Sequence, residues 1–230
     1  MTGEDQQQVG QQVRVSSSRF RRYPLVVTFE GPDGAGKSTL ATDLARWCAN
    51  RGIEVRTARS RPKSSERLRT TEYDHERPHE TRERGLVESS ARVVLKFGFY
   101  LARWAVEARP TRRPTILIRE RGWLDYDVDA RRYGLARPTR HLVRVLGKLF
   151  PKSDYSFVLV GDPAVIHERK ADLTVDDISS VIERWKRVAP DTAREVVLVD
   201  TTANSPESAL GELLTWLVVE RSSTTSGRSR

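Results

Sequence analysis

Cysteine occurs once in the 230 residues, at Cys48, and methionine only as Met1. A single cysteine excludes an internal disulfide framework and any cysteine-built zinc site. No apolar run approaches the roughly 20 residues needed to cross a bilayer, so no membrane partner is expected. The opening stretch, MTGEDQQQVGQQVRVSSS, lacks the apolar centre of a secretory signal, which makes the cytoplasm the expected location. Lysine is scarce as well: 7 of the 40 basic residues against 33 arginines, set over 31 acidic ones for a net charge of +9. Much of that excess lies at the two ends, where Arg14, Arg19, Arg21, Arg22, Arg221, Arg228 and Arg230 stand among Gln, Ser, Thr and Gly. Those ends read as disordered tails over 1–22 and 221–230. The rest of the charge is scattered without a dense basic run, so nucleic acid is not an expected partner.

What is present is an alternation of two periodicities. Leu25–Glu30, Thr115–Glu120, Ser156–Val160 and Glu195–Asp200 are short β-branched runs of strand length, with Ile53–Thr57 a weaker fifth. Between them apolar residues recur at helical spacing. The groups are Leu40, Leu44, Trp47 and Cys48; Val93, Val94, Phe97, Leu101 and Trp104; Leu142, Val143, Leu146, Leu149 and Phe150; and Ile178, Val181, Ile182 and Trp185. Ser205 and Pro206 open a last helix carrying Leu210, Leu213, Leu214 and Leu217. Trp47, Trp104, Trp185 and Trp216 are read as core residues on these helices. Alternating strands and helices predict one α/β domain over 23–220, a five-stranded parallel sheet with helices on both faces. Residues 58–85 interrupt the pattern with a charged stretch almost free of apolar anchors. It fits either a solvated excursion or a mobile segment that closes over a ligand at the sheet's carboxyl edge.

Directly after the first strand stands Gly31-Pro32-Asp33-Gly34-Ala35-Gly36-Lys37-Ser38, the pattern G-x-x-x-x-G-K-[ST] in its strand–loop–helix setting. Glycines let the backbone wrap a phosphate chain so that amide groups point inward, and the following helix adds its positive end. Lys37 is expected to reach the β and γ phosphates, and the Ser38 hydroxyl to bind Mg²⁺. The motif thus implies a nucleoside triphosphate as ligand, held by Gly31, Asp33, Gly34, Ala35, Gly36, Lys37, Ser38 and Thr39, without separating a kinase from a GTPase, a motor ATPase or a regulator.

The longer stretch Phe29–Leu40, FEGPDGAGKSTL, resembles the phosphate loop of the thymidylate kinase family. The resemblance spans roughly residues 24–218. Phe99 and Arg103 match that family's F-x-x-x-R, which implies an aromatic stacked on the acceptor base and an arginine holding the acceptor. Glu120-Arg121 falls where the family has Asp-Arg, and Arg61-Pro62 where it has an arginine facing the acceptor phosphate. Arg169-Lys170 falls at the family's lid, about 162–176 here, and Asp200-Thr201 at its adenine-side loop. Glu120 to Tyr133, ERGWLDYDVDARRY, is similar to the D-R-Y-x-x-D-x-x-x-D-P-R-R-Y of bacterial thymidylate kinase-like proteins.

The residues make similar chemical sense by themselves. A phosphotransferase neutralises charge between two polyanions, and arginine's planar fork suits phosphate oxygens. Glu120 fits a Mg²⁺ held through water, a base for the acceptor's proton, or a plain strand-end ion pair with Arg121. Arg103 fits an acceptor clamp or a solvent face, and Phe99 a base platform or the core. Asp125 and Asp129, four apart, face either an acceptor pocket or solvent, paired there with Arg131 and Arg132. Asp125, Asp127 and Asp129 are no EF-hand, because Ala130 and Ala136 stand where glycine and glutamate are required. Histidines 75, 79, 141 and 167 show no ligand spacing.

The expectation is therefore a P-loop kinase using ATP and Mg²⁺ on a small-molecule phosphoryl acceptor, with a homodimer allowed. Lys37, Glu120, Arg121, Arg169 and Lys170 are its catalytic set, and Ser38 and Glu120 hold the metal. Asp33, Arg61, Phe99, Arg103, Arg121, Asp125 and Asp129 form the acceptor side. Other readings are a kinase for a sugar or natural-product intermediate and an NTP-dependent regulator or nucleic-acid-associated ATPase. Where thymidylate kinases carry Ala-Tyr-Gln, this chain has Val128, Asp129 and Ala130, so dTMP is expected to be a poor acceptor.

Overall fold

The computed structural model of the chain describes residues 22–59 and 85–219. The tails expected over 1–22, apart from Arg22, and over 221–230 lie outside these residues, as does the 58–85 stretch from 60 to 84 with Arg61 and Pro62. Five strands form one sheet: β1 Leu25–Glu30, β2 Glu54–Arg59, β3 Thr115–Glu120, β4 Ser153–Val160 and β5 Ala193–Asp200. Their order is β2-β3-β1-β4-β5 and every pairing is parallel. β4 and β5 begin three and two residues earlier than the apolar runs foretold, because Ser153 and Ala193 continue the ladder opposite one another.

Seven helices surround the sheet among the described residues: α1 Lys37–Ala49, α2 Leu86–Glu107, α3 Asp125–Val128, α4 Thr139–Leu149, α5 Pro163–Arg169, α6 Val175–Val188 and α7 Pro206–Val219. Local chemistry marks their starts. Asp162 caps α5 by accepting from the Ala164 amide, ahead of Pro163 in the first turn, and Thr174 caps α6 through the Asp177 amide. Ser205 accepts from the Ser208 amide at 3.2 Å, the cap that Ser205-Pro206 predicted. No helix among the described residues is long and apolar enough to cross a membrane.

The period of two along β1 divides the core. Val27 and Phe29 join Leu40, Leu44, Phe157, Leu159, Ile178 and Leu213 in one apolar layer. On the other face Trp123, Tyr126, Val143, Val181 and Trp185 form a second layer, rich in aromatic rings. Thr28 and Glu30 alternate with Val27 and Phe29, and both are buried. Thr28 hydrogen-bonds Ser153 at 2.6 Å. Arg119, on β3 beside Thr28, is buried against Tyr100, Phe150 and Glu107. Several expected core positions face outward instead. Val94, Leu149 and Trp216 are exposed, because each lies at the margin of its helix's apolar stripe rather than under a neighbour.

In a parallel sheet all strands end at one edge. β1 and β3 are neighbours whose chains leave on different paths, so the loop after Glu30 and the turn after Glu120 meet there.

Candidate active site

The loop from Gly31 to Gly36 runs from β1 into α1. Gly31 and Gly34 have φ of 130° and 86°, a region side chains disfavour. A Cβ would also lie 2.5 Å from the Leu159 carbonyl oxygen at Gly31 and 2.8 Å from that of Ile166 at Gly34. Close backbone approach therefore requires glycine at both. Thr201, after β5, donates its hydroxyl to the Ala35 carbonyl at 3.0 Å and braces the loop from beneath. The start of α1 has no side-chain cap, leaving its first amides to an anion. Lys37 is buried and donates to the carbonyls of Gly31 and Pro32 at 2.9 and 2.5 Å. Burial and then the Arg121 charge push its ammonium down to about 7.

Asp33 projects from the loop into a ring of cations. Arg121 donates to its Oδ1 and Arg132 to its Oδ2, the latter at 2.5 Å. Lys37 and Lys170 stand 3.7 and 3.6 Å away. Burial would raise the Asp33 carboxyl, but Arg121, Lys37, Arg132 and Lys170 together hold it well below the usual carboxylate range.

Arg121 reaches this point from a left-handed backbone, φ 70°, held by its amide on the Phe29 carbonyl at 2.9 Å. Next to it, Gly122 donates its amide to Glu30 Oε1 at 2.7 Å. Burial, reinforced by Asp125, pushes Glu30 well above the ordinary glutamate range. Asp125, the first residue of α3, receives Arg121 Nη1 on both oxygens, at 2.7 and 2.9 Å, and the Tyr133 hydroxyl as well. It is 1% exposed. Asp125 thus braces the arginine instead of facing solvent.

At the loop's mouth Ser38 donates to Glu120 Oε2 at 2.5 Å. A hydroxyl and a carboxylate oxygen brought together beside the phosphate loop suit a hard cation such as Mg²⁺. Thr39 is exposed beside them.

Other expected members stand apart. Arg169 donates to the Thr201 carbonyl at 3.0 Å, on the β5 side, away from Asp33. Arg103 is paired with Glu107 one turn along α2, in the network of buried Arg119. Phe99 is 65% exposed and outside the aromatic layer, so it is not core; Tyr100 takes the inward place. Asp129 is buried behind the turn, where its charge acts on Arg121 and Arg184. Asp127 is spent on Arg140 and Arg144 at 2.8 and 2.7 Å. Arg131 pairs with Asp177, while Arg132 faces the site and not solvent. Sequence reading placed Arg132 only as a solvent-side partner of Asp125 and Asp129, and left Tyr133, although inside the Glu120–Tyr133 stretch, and Glu30 without a stated role. The signal for Glu30 was an acid ending a mostly apolar strand.

No protein-family model matches this sequence, and no curated protein matches it. Among solved structures, thymidylate kinase from Ehrlichia chaffeensis is similar, with a TM-score of 0.52 at 14% identity. The match covers 84% of this chain and 98% of that one. At that identity the likeness shows the fold alone, an α/β architecture with a five-stranded parallel sheet and a phosphate loop after its first strand.

Proposed function

We propose that the chain is an ATP-dependent phosphotransferase acting on a small acceptor. The observation that carries this reading is the ring of Lys37, Arg121, Arg132 and Lys170 around one point, between the phosphate loop and the turn after β3. Lys37 and the amides at the start of α1 bind the donor phosphates. Arg121, braced by Asp125, binds the acceptor. Lys170, from the proposed lid over 162–176, adds charge where the phosphoryl group passes. Ser38 and Glu120 would hold Mg²⁺, which would supply the positive charge that neutralises the phosphates. The bond from Pγ to the bridging oxygen of ADP breaks as the bond from Pγ to the acceptor oxygen forms. An acceptor phosphate oxygen is already ionised and needs no base, whereas a hydroxyl acceptor would give its proton to Glu120.

The test is ADP release from ATP·Mg²⁺ with nucleoside monophosphates and sugars offered singly. Release that depends on one acceptor supports the kinase. Release that depends instead on DNA or a protein would favour the ATPase reading.

A homodimer is part of the same proposal. Val87, Leu95, Phe99 and Val106 of α2 are exposed, and so are Val145 and Leu149 of α4, which packs beside α2. Exposed apolar surface of this extent on one helix suits a second copy of the chain.

A further inference from the structure

Behind the turn after β3, on the aromatic face of the sheet, lies a chamber of about 30 Å³. Thr28, Glu30, Arg119 and Ser153 line it, among the rings of Trp123 and Phe150. Thr28 stands opposite Arg119 in the β1–β3 register, and Glu30 lies two residues on along the same face of β1. Glu30 is fully buried, and its Oε2 has no hydrogen-bond partner among the described residues. The same is true of Nη1 of Arg119, a residue 5% exposed. Its ion-pair partner, Glu107 Oε2, is 3.7 Å away, too far for a hydrogen bond, and makes none itself. Buried polar atoms left so are expensive, and in native proteins they call for an explanation.

The protonation of Glu30 selects what can join the two residues. Oε1 already accepts the Gly122 amide, and burial, then Asp125, favours the neutral acid, so Oε2 carries the proton. Oε2–H and the Arg119 N–H are both donors, and two donors cannot pair directly. A water oxygen accepts from both. Its own hydrogens find Thr28 and Ser153, whose hydroxyls share one hydrogen bond at 2.6 Å and keep lone pairs free. The chamber has room for one or two waters at roughly 10–15 Å³ each.

We propose that the chamber is a built site for an ordered water that joins Glu30 to Arg119, and that Arg119 is the positioning residue that steadies Glu30 against the Gly122 amide. On its other side Arg119 lies near the rings of Tyr100 and Phe150 and faces Glu107, which Arg103 holds. One buried path thus links α2 to the turn that aims Arg121. The water bridge does not depend on which group the site transfers.

Two measurements on the full chain test this. A crystal structure of the wild type that resolves ordered solvent should show a water within hydrogen-bond distance of both Glu30 Oε2 and Arg119 Nη1. A dry chamber, or Arg119 bonded directly to Glu30, overturns the inference even if no variant folds. Amide hydrogen exchange, followed by NMR, then tests the positioning role. Arg119→Met keeps the length of the side chain and loses every donor. It should speed exchange of the Gly122 amide about tenfold more than that of Leu117, in the middle of β3. Arg119→Lys keeps a donor and should fall between Met and wild type. A merely structural loss would move both amides together, and an equal change at Gly122 and Leu117 overturns the role given to Arg119.

Discussion

Glu30 Oε1 accepts the Gly122 amide at 2.7 Å, across 92 residues of sequence, and so ties the end of β1 to the turn that aims Arg121. Its burial favours the neutral acid. Glu30→Gln keeps the accepting oxygen and should fold and turn over nearly as wild type does. Glu30→Ala leaves the amide unpaired and a hole behind it, at a cost of about 1–3 kcal/mol in stability. The unfolded chain ionises Glu30 at lower pH than the folded one does. The folded state thus binds the extra proton, and the Glu30 contribution falls as pH rises above the ordinary glutamate range. Thermal melts of wild type and Glu30→Gln against pH check this: their difference should change in that direction, and a flat difference would refute it.

Lys37→Ala should abolish phosphoryl transfer and leave the fold intact, because the ammonium neutralises phosphate charge and packs little apolar surface. Near-normal turnover in a folded Lys37→Ala protein would sink the assignment of the nucleotide site.

The same lysine predicts a pH effect on binding. With its ammonium pushed down to about 7, Lys37 is largely neutral at pH 8 in the unliganded protein. Triphosphate favours the charged form, so binding should take up a proton, and affinity should fall as pH climbs above 7. Calorimetry at pH 8 in two buffers of different ionisation enthalpy measures the uptake. Zero uptake contradicts the prediction.

Arg121 separates stability from function. A non-glycine residue at φ 70° costs roughly 1 kcal/mol. Both Arg121→Ala and Arg121→Gly should raise the acceptor KM or lower kcat strongly while leaving ATP affinity nearly unchanged. The glycine variant should be the more stable of the two by about 1 kcal/mol, since glycine alone is at ease there. Denaturant melts and steady-state kinetics decide it; an equal loss of ATP affinity would move Arg121 to the donor side.

On the outer face of α2, Leu95→Glu and Phe99→Glu place charge in the exposed apolar surface. Sedimentation should show a dimer for wild type and a monomer for either variant. A wild-type monomer would end the dimer proposal.

Substrate choice follows from the turn after β3. Tyr126 and Tyr133 pack with their rings tilted and centroids 4.1 Å apart, Asp125 is committed to Arg121, and Asp129 is buried. A site built for one polar pattern rejects the wrong acceptor by orders of magnitude. dTMP should therefore be turned over poorly or not at all; kcat/KM near 10⁵ M⁻¹s⁻¹, ordinary for a cognate substrate, would refute this.

The glycine-spaced loop, the lysine and the five strands were all legible before any tertiary contact, because each depends on a few consecutive residues. Spacing of two and of 3.6 selects strand or helix, and glycine answers a local φ requirement at Gly31 and Gly34. The same holds for the Ser205 cap, bonded within three residues.

The partners of the charged residues were settled elsewhere. Arg131 and Arg132 are adjacent and chemically identical, yet one meets Asp177 and the other Asp33. Asp125 and Asp127 differ by two positions, and the first braces Arg121 while the second holds Arg140 and Arg144. No periodicity distinguishes them. An arginine's long stem reaches in any direction, and its energy depends on what the fold brings within a few ångströms and how far water is excluded there. The amino-acid pattern therefore determined the elements and the phosphate loop. Only the packing of β1 beside β3 decided which of 33 arginines meet Asp33 at the phosphate loop, since charge pairing is a long-range, dielectric-dependent property of the assembled chain.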